Sequence, residues 1–279
     1  MNTVSRLHQP IKEQTKFWRM PQYDNMELLH ATFITHAFTR HYHEWYAIGM
    51  IERNHYTFYY RGAMHTIHAG QIVVINPGEI HSGEAIDEIG WTYRMLYPGI
   101  TMMRQIAYEV TGKFWDLPTF PQGVIDDLDL ARAIQRCHMA LEDPHMRLMH
   151  DTLIRDVFSM MILRHAENKP MPLRLGHERR AVALAKEYMA VHYADNITLE
   201  DLSSQAGLSP YHLARVFRAE TGMAPHQYLI NLRVNRARVL LESGLPIVDA
   251  ATMTGFTDQS HLSRYFKRIL GITPGQYSL

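Results

Sequence analysis

Ala206-Gly207-Leu208-Ser209-Pro210-Tyr211-His212-Leu213-Ala214-Arg215-Val216-Phe217-Arg218, with Gly222-Met223-Ala224-Pro225 beyond it, is a passage that the chain writes twice. Its second form is Thr254-Gly255-Phe256-Thr257-Asp258-Gln259-Ser260-His261-Leu262-Ser263-Arg264-Tyr265-Phe266-Lys267, followed by Gly271-Ile272-Thr273-Pro274. His212 corresponds to His261, Leu213 to Leu262, Phe217 to Phe266, Gly222 to Gly271 and Pro225 to Pro274, all at one offset. Gly207 and Gly255 fall one residue out of that register because of an insertion in the turn. Two copies are too few for a solenoid, which needs about three units to bury a continuous core. They suit a tandem pair of small modules.

Each copy has the residue order of a helix-turn-helix. In the first, Thr198 is placed to cap a helix whose first turn carries Glu200 and Asp201, acids at the positive end of the helix dipole. Leu199, Leu202 and Ala206 share one face of it. Gly207 closes it, because glycine enters the left-handed conformation that a side chain resists. Ser209 as N-cap and Pro210 at the first helical position then start a second helix. Within it Leu213, Val216 and Phe217 recur at helical spacing and predict the buried side. Tyr211, Ala214, Arg215 and Arg218 form the opposite stripe. In the second copy Leu262, Phe266 and Ile269 predict the buried side, and Gln259, Ser260, Ser263, Arg264 and Lys267 the outer one. Such side chains suit a helix in a major groove: Arg bonds guanine bidentately, Gln reads adenine, and Ser is permissive. Most charged stripes are merely solvated. A stripe duplicated together with its turn is hard to obtain from solvation alone, so these residues are the DNA-contact candidates.

With those residues in place, the end of the chain resembles the DNA-binding domain of AraC-type (AraC/XylS) transcription regulators. The run from Gly255 to Lys267, followed by Gly271-Ile272-Thr273-Pro274, follows that family's second-copy pattern almost letter for letter. The resemblance implies two helix-turn-helices joined by a long helix. Here that helix runs from about Pro225 through Tyr228, Leu232, Arg236, Ala237, Leu240 and Leu241 to Gly244. It also implies recognition helices in successive major grooves on one face of bent double-stranded DNA.

The chain has 279 residues, room for one large or two ordinary domains, and its 46% apolar content is that of a globular protein. No run approaches the ~18 apolar residues of a membrane span, and Met1 to Pro10 lacks the apolar core of a signal peptide. The single Cys137 cannot form an internal disulfide, which agrees with a reducing cytoplasm. Net charge is zero overall; from Glu178 onward 11 basic side chains face 9 acidic ones. That excess is too small to argue for DNA by itself. The motif carries the claim.

Residues from about Ala31 to Pro98 read as short strands: Ala31–Phe38, Trp45–Ile51, Tyr56–Tyr60, Met64–His68, Ile72–Ile75 and Trp91–Tyr97, with a hairpin turn at Arg61-Gly62. Strands at this spacing predict a sandwich or small barrel. His41-Tyr42-His43-Glu44, together with Gly70, Pro77-Gly78 and His81-Ser82-Gly83-Glu84, resembles the two cupin motifs as they occur in sensor domains of AraC-type regulators. The fold class is therefore α+β in two domains, a cupin-like β-barrel plus helices and then an all-α tandem helix-turn-helix.

A barrel mouth lined by inward side chains can hold a small molecule. His41, His43, Trp45, His81 and Tyr93 are the effector candidates, with Trp45, Tyr46, Tyr56, Phe58, Tyr60 and Tyr93 supplying aromatic surface, and Arg94 an anion partner if its strand is bulged. His41, His43 and His81 are also the candidates for a divalent metal. Cupin enzymes usually add a Glu four residues after the second His; here that position is Ala47, and Glu44 faces the other way on a regular strand. The reading adopted is therefore no enzyme, no catalytic residue and no cofactor, with the histidines lining an effector pocket.

After Gly112 the texture becomes helical. Leu130, Ala133, Ile134, Cys137 and Leu141 form one amphipathic series ending at Asp143-Pro144, and Asp151 to His165 a second. The resemblance implies that these helices make a homodimer, and also that RNA polymerase is a partner. Glu167 to Glu178, with Pro170, Pro172 and Gly176, reads as a linker. The expected division is 1–168 sensor and dimerisation domain, 169–178 linker and 179–279 DNA-binding domain, with the segment before Ala31, including Phe17 and Trp18, as a movable lid. A constitutive DNA binder whose barrel is only a dimer scaffold, and a metal-binding cupin acting as sensor or enzyme, are the rival readings.

Overall fold

The computed structural model describes residues 12–85, 90–113, 117–167, 178–270 and 272–277. The linker expected at 169–178 lies outside them except for Glu178, and so does Gly271. By packing, the chain forms two compact units. The first comprises Met1–Ala107, Lys113–His138 and Met160–Pro170; the second comprises Tyr108–Gly112, Met139–Ser159 and Met171–Leu279.

The first unit is built on two antiparallel sheets. Strands β1 (Gln14–Met20), β2 (Met26–Phe33), β4 (Ala47–Arg53), β7 (Ile72–Ile75), β9 (Trp91–Tyr97) and β10 (Val124–Ile125) form one sheet in the order β1-β2-β9-β4-β7-β10. Strands β3 (Ala37–His41), β5 (His55–Tyr60), β6 (Ala63–His68) and β8 (His81–Ala85) form the other, in the order β3-β8-β5-β6. No ladder joins the two sheets among the described strands, so the expected barrel is a pair of facing sheets. Their shared core includes Ile51, Tyr56, Phe58, Ile67, Val73, Ile75, Trp91 and Met95. The hairpin at Arg61-Gly62 forms as expected, with Tyr60 opposite Ala63.

Two details differ from the sequence reading. The run Ala31–Phe38 is not one strand: β2 ends at Phe33 and β3 starts at Ala37. Between them the amides of Ile34 and Thr35 donate to Glu13 Oε1 at 2.8 and 3.0 Å, so a side chain takes the place of a ladder partner. The segment expected as a lid holds β1 and most of β2. Strand β1 pairs with β2 from Gln14↔Thr32 to Met20↔Met26, and Trp18 meets the edge of His138 at 4.9 Å. Helix α1 (Ile100–Thr111) was not expected, while α2 (Leu128–Ala140) and α3 (Arg147–His165) match the two amphipathic series.

The second unit holds α4 (Arg179–His192), α5 (Leu199–Ala206), α6 (Pro210–Thr221), α7 (Pro225–Glu242), α8 (Ile247–Met253), α9 (Gln259–Leu270) and α10 (Pro274–Tyr277). The caps read from sequence are present. Thr198 and Asp201 form a reciprocal capping box, Gly207 ends α5 at φ 67°, and the Ser209 side chain accepts from His212 N. Asp258 plays the same part in the second copy, accepting from His261 N at 2.7 Å.

Each copy has its own apolar cluster. Leu199, Leu202, Leu213, Val216 and Phe217 centre the first; Ala250, Ala251, Phe256, Leu262 and Phe266 centre the second. Helix α7 joins them through one buried cation. The Arg233 guanidinium donates to the carbonyls of Tyr193, Asp195 and Gly255 at 2.6, 2.7 and 2.9 Å. Desolvation lowers its pKa to about 10. Gly255 is required there: at φ 78°, an added Cβ would lie 2.6 Å from the Ala194 carbonyl oxygen. The spacing of the two modules is thus held by charge-assisted hydrogen bonds in a buried seam.

Candidate functional site

The second helix of the second copy presents the stripe that its sequence predicts. On α9, Gln259, Ser260, Arg264 and Lys267 are exposed and Ser263 is half-exposed, while Leu262 and Phe266 are fully buried and Ile269 half-buried. In the first copy, Arg218 is exposed and Arg215 is half-buried.

Tyr211 and Ala214 do not belong to an open face: they retain 6% and 7% exposure. Residues 139–159 pack in the same unit as the tandem modules. Leu148 joins the first module's apolar cluster together with Ala214, and Met146 joins the second. Asp151 accepts from the Leu199 amide at 2.9 Å, and Arg155 bridges Glu109 at 3.1 Å and Glu200 at 2.6 Å. Asp156 lies close enough to Tyr211 to act on its charge, and the Arg215 guanidinium lies over the Tyr211 ring at 5.3 Å. Periodicity marks two sides of a helix but cannot tell water from a segment fifty or more residues away. A lighter contact reaches the second copy, where Asp143 lies 3.5 Å from Arg264.

In the first unit, a cavity of about 470 Å³, counting space open to solvent, lies between the two sheets. Its wall includes Phe38, Tyr56, Phe58, Trp91, Tyr93 and Tyr97, with Ala47, Val73, Ile75, Met95, Ser82 and Gly83 filling in. His41, His43 and His81 line it as well, so four of the five effector candidates are brought together. Pairing of β3 with β8 sets His41 opposite His81, and the alternation that brings His43 to the same side leaves Tyr42 and Glu44 exposed. Burial, reinforced by His41, lowers the His43 pKa. Burial takes His81 down to about 4, with His41 and His43 acting in the same direction against the Glu79 carbonyl. Tyr93 is likewise pushed up by burial.

Three sequence readings change here. Trp45 is not in the cavity wall: it stacks behind His43 at 6.0 Å and an interplanar angle of 17°. Arg94 is on the far side of β9. That strand is regular at Arg94, so Tyr93 and Met95 face the cavity while Arg94 turns to Glu52 at 2.7 Å and His138 at 3.1 Å. Tyr46 and Tyr60 also serve elsewhere, donating to the Pro118 carbonyl and to Glu79. Phe38, Trp91 and Tyr97 were missed as wall residues. Trp91 and Tyr97 share the parity of Tyr93 along β9, a signal that could have found them.

Paired helix-turn-helices with an outward polar-cationic stripe, in one chain with a strand-rich unit that encloses an aromatic cavity, define a DNA-binding transcription regulator with a ligand-binding domain. Residues 25–158 match the family model described as AraC-like ligand binding domain, and residues 202–278 match the one described as Helix-turn-helix domain. The chain is 32% identical over 252 residues to the uncharacterized HTH-type transcriptional regulator YbfI of Bacillus subtilis (strain 168), covering 90% of this chain and 91% of that one. It belongs to the AraC-type transcription regulators. It is also 24% identical to the HTH-type transcriptional activator RhaS of Escherichia coli O81 (strain ED1a), over 85% of this chain and 86% of that one. Among solved structures, the DNA-binding domain of AdpA in complex with a target DNA is 32% identical over 35% of this chain and 89% of that one, with a TM-score of 0.34.

Proposed function

We propose that this chain is an effector-responsive, sequence-specific transcription regulator and not an enzyme. It works as a homodimer on double-stranded DNA in the cytoplasm, with recognition helices α6 and α9 in successive major grooves and RNA polymerase as a further partner. One observation carries the reading: the same chain combines the exposed Gln259, Ser260, Arg264 and Lys267 stripe with an aromatic cavity between two sheets. Among the described residues, the cavity wall offers imidazoles, hydroxyls and rings but no carboxylate, so those residues supply no general acid–base pair of carboxylates. An effector that binds one arrangement of the chain better than another shifts the balance by that difference in affinity alone.

The test is to select binding sequences from random duplexes with the full chain. Operator affinity is then measured with and without each sugar, amino acid or aromatic acid that raises Tm. A bound effector should change operator affinity by about 5- to 150-fold, and His43→Ala should abolish the response. A failure to enrich any sequence would overturn specific DNA binding. Operator affinity unmoved by every compound that binds would leave a constitutive binder with the sensor as scaffold.

A further inference from the structure

The seam around Arg233 ties a turn of the first helix-turn-helix module to a turn of the second. Tyr193 and Asp195 stand between α4 and α5, and Gly255 stands between α8 and α9. Arg233 is 5% exposed, and its Nε, Nη2 and Nη1 each donate to a different one of these carbonyls. Each end of the tie continues into a module. The Asp195 carbonyl also accepts from the Ile197 amide at 3.0 Å, and Ile197 belongs to the first module's apolar cluster. Shortly after Gly255 comes Asp258, whose carboxylate caps the start of α9. The two turns also touch directly: a Cβ added at Gly255 would meet the oxygen, Cα and carbonyl carbon of Ala194 at 2.6, 2.9 and 3.0 Å.

Stability alone is a poor account of an arginine here. Among the described residues no carboxylate hydrogen-bonds to the guanidinium, and the Asp195 carboxylate turns instead to His192 at 3.0 Å. A buried cation without a counter-ion carries a desolvation penalty that neutral carbonyls offset only in part. What the guanidinium adds is direction. Its donors lie in one plane at fixed angles, so three acceptors bonded at once are fixed relative to one another. A lysine ammonium in its place would meet the same oxygens as a point charge without orienting them.

We propose that Arg233 is the positioning residue that sets which operator spacing this chain accepts, by fixing the distance and rotation between α6 and α9. The inference rests on the reading of those two helices in successive major grooves. Such sites lie ~34–36 Å, or about 10–10.5 base pairs, apart along the duplex. One base pair more or less moves the second site by ~3.4 Å and turns it by roughly 34° about the axis. Hydrogen bonds of 2.6, 2.7 and 2.9 Å break before they follow a displacement of that size. Selectivity between spacings therefore belongs to a side chain buried between the modules, while selectivity between bases belongs to the exposed stripes.

The test uses the full chain and a duplex selected from random sequence, with its two protected segments located by hydroxyl-radical footprinting. Duplexes with one base pair inserted or removed between those segments are compared with the parent by fluorescence anisotropy. Wild type should lose about 5- to 150-fold on either change, the penalty for misplacing at least one base contact. Arg233→Lys should bring that ratio below about threefold, because the point charge no longer fixes the plane. It should still bind a duplex carrying either segment alone as tightly as wild type does. Arg233→Met, which removes the tie, should lose the spacing preference as well and unfold at lower urea, with carbonyls left unpaired. Arg236→Gln, an exposed arginine lying over the Tyr193 ring at 5.4 Å, should keep the wild-type ratio. An Arg233→Lys chain that is weakened equally on every duplex, with its ratio intact, overturns the proposal. So does an Arg233→Lys chain that fails to fold, which would make Arg233 a folding residue, and so does a wild type indifferent to spacing. Protection of a single groove, or no enriched duplex at all, overturns the two-groove reading itself.

Discussion

The two helix-turn-helix copies share a sequence pattern, yet residues 139–159 treat them differently. The first is covered: Leu148 enters its core, Asp151 caps its first helix, Arg155 holds Glu200, and two residues of its outer stripe are buried. The second takes Met146 into its core, but its outer stripe stays open, touched at Arg264 by Asp143. Copies of one pattern, with Tyr211 and Ala214 standing where Ser260 and Ser263 stand, thus present unequal surfaces. The lesson is that a repeat specifies its own core, whereas its exposure depends on what else folds against it.

Cavity-forming substitutions should strike both copies hard. Phe217→Ala and Phe266→Ala each remove a fully buried ring and should cost about 3–5 kcal/mol, read by urea unfolding. If the extra cover matters, hydrogen exchange should show α9 amides opening at lower free energy than those of α6. Equal protection would erase the asymmetry.

The seam between the copies should respond to acid. His226 is buried at the start of α7 with Arg218 and Arg268 near it, and desolvation first, then those two charges, lower its pKa to about 4. The folded state binds this proton less readily than the unfolded chain, whose His titrates near 6.5. Stability is therefore fully present above pH 6.5 and is lost as pH falls toward 4, by on the order of 3 kcal/mol. His226→Gln should flatten that part of the stability–pH curve. An unaltered slope would assign the acid sensitivity to other groups, of which His81 is the first to examine.

The exposed stripe of α9 gives smaller effects. Arg264→Ala should weaken the selected operator by about 1–3 kcal/mol and relax base choice at one position. An equal loss on unrelated DNA would demote Arg264 to a phosphate contact. The smallest effect belongs to Asp143, whose pair with Arg264 is long and solvent-exposed. Asp143→Asn should strengthen operator binding by about 0.2–1 kcal/mol, most visibly at low salt. Weaker binding would show that Asp143 assists DNA contact instead of competing with it.

Much of the helical unit was legible because its signals are local. Thr198, Gly207, Ser209 and Pro210 act within one turn of themselves, and all four stand where their chemistry places them. The strand-rich unit was read less well. An exposed edge strand such as β1 carries no alternation to mark it as a strand. Arg94 enters the cavity only on a bulged strand, and β9 is regular there; the stacking of Trp45 behind His43 is a tertiary contact that no local pattern records.

By itself, the sequence determined the duplicated modules, their caps and turns, the long joining helix and the face of α9 that stays in water, since each depends on spacings of a few residues. It also paired His41 with His43 by the two-residue alternation of an extended chain. The resemblance to the cupin motifs added His81 to that pair, and only the tertiary structure decided that Arg233 binds the two modules through three carbonyls and that Tyr211 and Ala214 are buried. Those contacts join positions far apart in the chain, where burial and hydrogen bonding are set by three-dimensional packing that no local pattern records.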